Sequence, residues 1–446
     1  TFQAIIETNR GCPFPCFAGD TYVALPDRII RFDEQQYTAK TPCGMPGHSH
    51  TRCLDEPRIV AQGEKPCLTL HFDNGLSLTA TPGHQIQGAQ DGRLVWRTIQ
   101  SLSVGDWVVC QVGQNAVEDE VVLNPPVMDY PPGIGHRRPE SIQFPGTLNG
   151  DLAWLLGFII GDGCLPSDRR AALHLALTPD TEGQARERVR RVCGLEIKDL
   201  RASNTAKMRH GWIYSRMFVR YLTETCGIDP TEKHRAPRPV FSSPARIVRA
   251  FLRGLWAADG YAPKKRSGQT YLTTVSHTLA EEVAMLIHWI GDAAVVRSVV
   301  QRGRGDRPVY RVEWHDETCR SRSTGGRPCV ASRVPFPSYV RRDRSGSYRI
   351  SKRNGRAAVL RSTLEKGNPD HPLVDKTLVY ARVVSVIDVG IRPVYDVSNP
   401  PVHTVGANGV LAKNCSFCFW GQGGLSMKYR YHSLDRTRQE IEWCAR

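Results

Sequence analysis

Two stretches of the same character stand far apart in this chain. From Cys16 to about Gly113 the sequence alternates strand-like runs (Tyr22-Val-Ala-Leu, Cys67-Leu-Thr-Leu-His-Phe, Leu76-Ser-Leu-Thr-Ala, Trp107-Val-Val-Cys) with turn signals such as Asp73-Asn74-Gly75 and Gly105-Asp106. The pattern returns at Leu378 and runs through Tyr380–Gly390, Pro393–Ser398 and Val410-Leu-Ala412. Asp119 to Leu148 is Pro- and Gly-rich and reads as a linker. From Gly150 the apolar period becomes helical, over Leu152–Ile160, Thr181–Val192, Ser215–Cys226, Pro244–Ala257 and Leu279–Ile290, with strand candidates at Ala172–Leu177 and Thr270–Val275. A β pattern that stops and later resumes leaves few architectures. One β domain is assembled from two distant halves, and an α/β unit is inserted between them.

Charge is concentrated rather than spread. Arg302 to Arg356 holds fifteen Lys and Arg against five Asp and Glu, which is ten of the chain's net +15. Trp314, Tyr310, Tyr339 and Tyr348 are interleaved with it, the composition of a phosphate-contacting arm; a solvated basic loop is the alternative. No run of 18 apolar residues exists, so no membrane span is expected. The chain lacks an initiator Met and a secretory leader, and reads as a fragment of a longer polypeptide. Fourteen scattered cysteines suit a reducing compartment, the cytoplasm, with free or metal-bound thiols.

Reactive residues mark both ends of the interrupted β pattern. Asn414 carries an amide that can close a succinimide on its own carbonyl and cut the chain behind it; Cys415 follows as a nucleophile. Far upstream, Pro15-Cys16-Phe-Ala-Gly-Asp20 is a matching start. Four blocks, Cys16-Phe-Ala-Gly-Asp-Thr, Ala80-Thr-Pro-Gly-His84, Val386 to Val397, and His403 to Cys415, together resemble an intein, a self-splicing element, over Cys16–Asn414. The resemblance implies a split all-β Hint-type (horseshoe) splicing domain that needs no cofactor. Cys16 must turn the Pro15 carbonyl into a thioester, and Thr81 and His84 can weaken that amide, one fixing geometry and the other protonating the departing nitrogen. By resemblance, Asp396 and His403 assist transesterification to Cys415 and cyclisation of Asn414. Two positions depart from the pattern. Lys413 stands where a His is usual, which predicts slow Asn cyclisation or reliance on His403, and the Pro15 ring crowds the first reacting carbonyl.

Leu155-Leu-Gly157-Phe-Ile-Ile-Gly161-Asp162-Gly163 and Leu252-Arg-Gly254-Leu-Trp-Ala-Ala258-Asp259-Gly260 repeat one design. Small residues four apart let two helices approach closely, and each segment ends in an acid before Gly, as at a helix C-terminus. Packed together they would set Asp162 beside Asp259, a divalent-cation pair suited to phosphodiester hydrolysis. The segments are similar to the paired signature of LAGLIDADG homing endonucleases. That implies Mg2+ as cofactor, double-stranded DNA (the element-free host gene) as partner, a monomer, and a basic role for Lys233.

Cys43, His48, His50 and Cys53 offer four zinc-type ligands in eleven residues; a polar loop with coincidental ligands is the alternative. Joining Pro15 to Cys415 gives Cys12-x3-Cys415-x2-Cys418-Phe, which resembles the radical S-adenosylmethionine motif. That implies a 4Fe–4S cluster and S-adenosylmethionine in a TIM-like α/β host. The expected division is 1–15 and 415–446 host flanks, 16–115 and 376–414 splicing halves, 116–149 linker, 150–300 endonuclease and 301–375 basic arm. Two other classes stay open: a DNA-binding or DNA-cleaving protein whose β domain no longer splices, and a single metalloenzyme built on the cysteines.

Overall fold

The computed structural model describes residues 15–34, 58–126, 142–165, 172–202, 208–231, 234–261, 271–300, 308–314, 333–335, 338–342, 348–352, 358–360, 364–366, 368–398 and 404–413. The first β pattern forms β1 (Phe17–Ala18), β2 (Tyr22–Ala24), β3 (Ile29–Arg31), β4 (Arg58–Phe72), β5 (Ser77–Ala80), β6 (Gln85–Gln90), β7 (Arg93–Thr98) and β8 (Trp107–Gln111). The inserted unit follows with α1 (Gly150–Asp162), β9 (Gly163–Cys164), β10 (Ala172–Leu177), α2 (Pro179–Cys193), β11 (Lys198–Ala202), β12 (Arg209–Tyr214), α3 (Arg216–Arg220), α4 (Ala245–Asp259), β13 (Gly260–Tyr261), β14 (Tyr271–Thr274), α5 (His277–Trp289), β15 (Ala294–Val300) and β16 (Pro308–Trp314). After it come β17 (Arg333–Pro335), β18 (Ser338–Arg342), β19 (Tyr348–Lys352), β20 (Ala358–Leu360), β21 (Leu378–Ser398), β22 (Thr404–Ala407) and β23 (Val410–Lys413).

The two halves of the β pattern meet in one eleven-stranded sheet, ordered β1-β5-β4-β21-β8-β6-β23-β22-β2-β3 with β7 on β6. Its spine is β21, which pairs with β8 at its start, then with β4 along most of its length, and with β1 near its end. Three register shifts interrupt the β4–β21 ladder, at Val383/Ser385, Asp388/Gly390 and Pro393/Tyr395, and each adds local bend and twist. Two hairpins close on two-residue turns with both residues at positive φ: Asp91-Gly92 between β6 and β7, and Asn408-Gly409 between β22 and β23. The Asn408 side chain also accepts from the Tyr22 backbone (2.7 Å) and donates to the Ser77 carbonyl (2.8 Å), tying the β22–β23 turn to β2 and β5.

The inserted unit repeats a helix–strands–helix arrangement. α1 precedes the four-stranded sheet β11-β12-β10-β9, and α4 precedes the sheet β13-β14-β16-β15. Helix starts are capped as their residue types dictate. The side chains of Asn149, Ser215 and Ser276 accept from the backbone three residues on, and Thr178 forms a reciprocal capping box with Thr181. One apolar cluster runs without a break from Phe17 through α1, α4 and α5 to Val410, so insert and β domain share a core. Polar joints run along it. Trp289 Nε1 donates to the Leu25 carbonyl (2.8 Å), and the buried Glu282 carboxylate accepts from Tyr22 Oη (2.8 Å) and from Arg235.

The structure corrects several expectations. β4 begins at Arg58, well before Cys67, because its partner β21 is long enough to pair it throughout. The helix expected over Ser215–Cys226 stops at Arg220 and continues as a π turn, Tyr221–Thr225. Gly163 and Gly260 cap the two helix C-termini, as the acid-Gly pairs predict, but with extended backbone (φ −90° and −81°). They are glycine for space, since a Cβ would fall 2.5 Å from the Ile159 carbonyl oxygen or 2.2 Å from that of Trp256. A boundary at residue 301 would cut a sheet, because β16 lies between β14 and β15. Trp314, expected among DNA-contacting aromatics, is buried at the end of that strand. Tyr339 and Tyr348 lie on the β18–β19 hairpin; most of the remaining basic arm falls outside the described residues.

Candidate functional site

Strand register brings one set of reactive residues together. Phe17 pairs with Ala80 on β5 and with Tyr395 on β21, so Cys16, one residue earlier, sits between Thr81 and Asp396. All three are buried. The Cys16 N–H donates to Thr81 Oγ1 (2.9 Å), the Thr81 N–H donates to the Cys16 carbonyl (2.9 Å), and the Thr81 hydroxyl reaches the same carbonyl (3.3 Å). Thr81 therefore holds both the N–H and the carbonyl of Cys16. Asp396 Oδ1 accepts from the Val397 N–H (2.8 Å).

His84 comes next on the turn after β5, its ring 4.0 Å from that of Phe17. Its Nε2 bonds the Lys413 carbonyl at 2.9 Å. A carbonyl only accepts, so Nε2 must carry the proton. Burial pushes the imidazole down to about 4; the Lys413 carbonyl and the Cys16 backbone offset only part of this. The ring is neutral at pH 7, and Nδ1 keeps its lone pair. One imidazole thus stands against the backbone at both ends of the Cys16–Asn414 segment, because β23 pairs with β6 directly after His84. The Lys413 side chain turns away, its Nζ 5.0 Å from the centre of the Trp96 ring. His403, Asn414 and Cys415 lie outside the described residues, as do Cys12 and Cys418, the zinc-type set Cys43, His48, His50 and Cys53, and Lys233.

Sequence patterns did not single out Lys65. It lies on β4 opposite Arg392, and its Nζ is 3.4 Å from Cys16 Sγ. No motif marks it; only the β4–β21 register places it there.

The second set is the seam between α1 and α4. A Cβ on Gly157 would lie 2.1 Å from the Phe251 carbonyl oxygen, and one on Gly254 would lie 1.8 Å from that of Trp154. The two backbones are in direct contact, as the small residues four apart require. At the C-terminal end a Cβ on Gly161 would meet Ala258 Cβ (2.5 Å) and Asp259 Oδ2 (3.0 Å). The Asp259 carboxylate therefore lies against the residue preceding Asp162. Both acids end their helices and reach the surface, with β9 and β13 leading away. Two hard oxygen donors at one rim fit a Mg2+-type cation, which keeps water and phosphate oxygens in its remaining positions. No cluster of three or more His, Cys, Asp or Glu occurs among the described residues. No helix among them is long and apolar enough to cross a membrane.

Similarity to known proteins falls on both parts. Three curated relatives align over most of the chain. An iron-sulfur cluster assembly SufBD family protein of Mycobacterium leprae is 26% identical over 372 residues, 80% of this chain and 39% of its own length. The ribonucleoside-diphosphate reductase NrdEB subunit alpha of Bacillus subtilis is 21% identical, covering 83% and 32%. The replicative DNA helicase DnaB of Rhodothermus marinus is 23% identical, covering 82% and 36%. The chain thus spans about a third of the length of these relatives. Among solved structures, the homing endonuclease I-DmoI in complex with DNA and Ca aligns at 16% identity and TM-score 0.29, over 39% of this chain and 87% of that one. Full-length DUF199/WhiA from Thermatoga maritima aligns at 14% and 0.29, over 40% and 55%. Residues 246–324, from α4 past β16, match the family described as LAGLIDADG-like domain, and the chain therefore carries a LAGLIDADG-like domain.

Proposed function

We propose that Cys16–Asn414 excises itself and joins its flanks, and that the inserted LAGLIDADG-like unit is a DNA endonuclease. The observation that best supports splicing is the single buried imidazole, His84, set against Cys16 and the Lys413 carbonyl. A self-excising segment must bring its two ends to one place, and these ends are 397 positions apart in sequence.

In this reading Cys16 Sγ attacks the Pro15 carbonyl carbon. The S–C bond forms, the C–N bond breaks, and the Cys16 nitrogen takes up the proton the thiol releases. Thr81 holds the Cys16 N–H and carbonyl, and His84 Nδ1, which keeps its lone pair, must take up a proton before it can pass one to the departing nitrogen. Cys415 then displaces the Cys16 thiol, Asn414 closes on its own carbonyl and frees Cys415, and an S-to-N shift leaves a Pro15–Cys415 amide. With Lys at position 413, the His84 ring that bonds the Lys413 carbonyl would also serve the second cut, one residue further on. The relatives bear on this reading too. They are named for a reductase, a helicase and a cluster-assembly protein, yet each aligns to about four-fifths of this chain and over only about a third of itself. A transposable segment inside unlike hosts gives that pattern.

The α1–α4 seam holds Asp162 and Asp259 at one rim, where they would bind Mg2+; the cation would neutralise charge on a phosphodiester under attack. The chain's own part is to fix the two carboxylates and to present basic side chains to double-stranded DNA. Lys233 and the basic arm belong to this proposal, as does assembly of Cys12, Cys415 and Cys418 into a cluster motif once the flanks join.

Expression followed by intact-mass analysis tests splicing. An excised piece of about 44 kDa and a joined flank of about 5 kDa are expected, from chain length at roughly 110 Da per residue. A chain that stays whole after long incubation in mild reductant would favour the alternative, a DNA-binding or DNA-cleaving protein with an inert β domain.

A further inference from the structure

A thiol sealed in an apolar pocket is a poor nucleophile, because burial opposes the thiolate. Cys16 is fully buried, in a small cluster with Cys67 and Val394. Cys67 shows how strongly burial acts there, because its thiol is raised even with Arg392 and Lys65 pulling it down. Its sulfur donates to the Lys65 carbonyl (3.4 Å), and burial pushes its thiol up to about 11. Cys16 has a closer cation. The Lys65 ammonium approaches its sulfur to 3.4 Å, charge-assisted hydrogen-bond range for sulfur.

Strand geometry delivers that ammonium. Residues 65 and 67 fall on the same face of β4, so the strand that packs Cys67 beside Cys16 also carries Lys65 there. Lys65 is only partly buried, so its long stem can keep its charge near water while its head meets the sulfur. Among the described residues, the other titratable or charged groups around the pocket include Cys67 on β4, Asp396 and Arg392 on β21, His84 after β5, and Asp20 beyond β1.

We propose that Lys65 is a catalytic residue of the first splicing step, its ammonium holding Cys16 as the thiolate that attacks Pro15. The inference rests on the splicing reading above. In the step, the thiol gives up its proton and the thiolate bonds to the Pro15 carbonyl carbon. The C–N bond breaks, and one proton returns to the Cys16 nitrogen, so the step is proton-neutral. Lys65 gives up no proton; it lowers the energy of the charged sulfur before attack.

The test uses the full chain carrying Asn414→Ala and Cys415→Ala, which stops after the first step. Two quantities are followed against pH: ultraviolet thiolate absorbance, taken as the difference from the same chain with Cys16→Ala, and the rate of dithiothreitol-induced cleavage at Pro15–Cys16. Lys65→Met is expected to move the thiolate midpoint up by about one pH unit or more, the size of an opposite charge lost within 4–6 Å. Cleavage at neutral pH should fall about tenfold in parallel, one unit of pH being one decade in thiolate. Lys65→Arg should restore most of both. A midpoint unmoved by Lys65→Met would overturn the proposal, whether cleavage persists or falls; a fall without a shift means that Lys65 serves structure alone. If the midpoint moves but the parent chain never cleaves and the unmutated chain never ligates, the splicing reading fails while the Lys65–Cys16 contact stands.

Discussion

At the scale of single residues, the Cys16 site is built from backbone contacts as much as from side chains. Thr81 uses its hydroxyl and its N–H on one neighbour, and His84 uses Nε2 on a carbonyl contributed by the other end of the segment. Removing Thr81 leaves the Cys16 N–H without its acceptor in a pocket that water does not reach. Thr81→Ala should lower thiol-induced cleavage at Pro15–Cys16 about 10²-fold, and His84→Ala by about 10²- to 10⁴-fold, the range for a positioned proton-transfer group. Rates near the parent's for both variants would mean that neither residue assists the departing nitrogen. Mass analysis of cleaved and uncleaved chain measures either outcome.

At the scale of elements, α1 and α4 approach as closely as two helices can. Their contact rests on the missing Cβ atoms of Gly157 and Gly254. Gly254→Ala would put a methyl 1.8 Å from the Trp154 carbonyl oxygen, an overlap only backbone movement can relieve. It should lower stability by about 1–3 kcal/mol or more and shift the two acids apart. Gly183, inside α2, has nothing within 4 Å of its Cβ direction. Gly183→Ala should instead stabilise by about 0.5–1 kcal/mol through helix propensity. Urea unfolding of the pair checks the contrast, and equal effects would show that the seam has slack.

At the scale of the whole molecule, insert and β domain are welded. Gly409, in the turn beside β23, packs against His288 of α5, where a Cβ would fall 2.9 Å from Nδ1. The Val296 N–H donates to the Asn74 carbonyl at 2.7 Å, and Gly75, at φ +80°, leaves no room for a side chain there. Two buried imidazoles in this shared core, His84 and His288, are pushed down to about 4 by burial. Each binds protons more weakly folded than unfolded, so its contribution is whole above about pH 6.5 and is lost on descent towards 4, at most about 3 kcal/mol apiece. Glu281 opposes them. Burial, with smaller contributions from Asp20 and Glu282, raises it to about 7, so it favours the folded state below 4.5 and loses that as pH rises through 7. Two histidines against one carboxyl leave a net loss of roughly 2 kcal/mol between pH 7 and 4.5. Urea midpoints at the two pH values measure it, and greater stability at the lower pH would contradict the burial of these rings.

The residue order already carried the split β pattern, the helical insert and the paired small-residue segments, because strand and helix periods are local and are written in spacing. Helix positions held to within a few residues for the same reason. The Asp91-Gly92 and Asn408-Gly409 turns were also legible, as two-residue hairpin signals that the strand pattern did not use. Thr81, His84 and Asp396 were named from residue type and resemblance; their convergence on Cys16 depended on the register of β1 against β5 and β21. Tertiary structure alone decided the rest. Lys65 reaches Cys16 only because β4 and β1 both pair with β21. Gly163 and Gly260 are glycine through crowding against the preceding turn rather than backbone handedness. Trp314 is buried because β16 lies inside a sheet whose other strands come from before the basic segment. Local sequence sets which φ and ψ a segment prefers and which face is apolar. Which distant face it meets is settled only when the shared core closes, and at this site that closure puts residue 65 beside residue 16 and residue 84 beside residue 413.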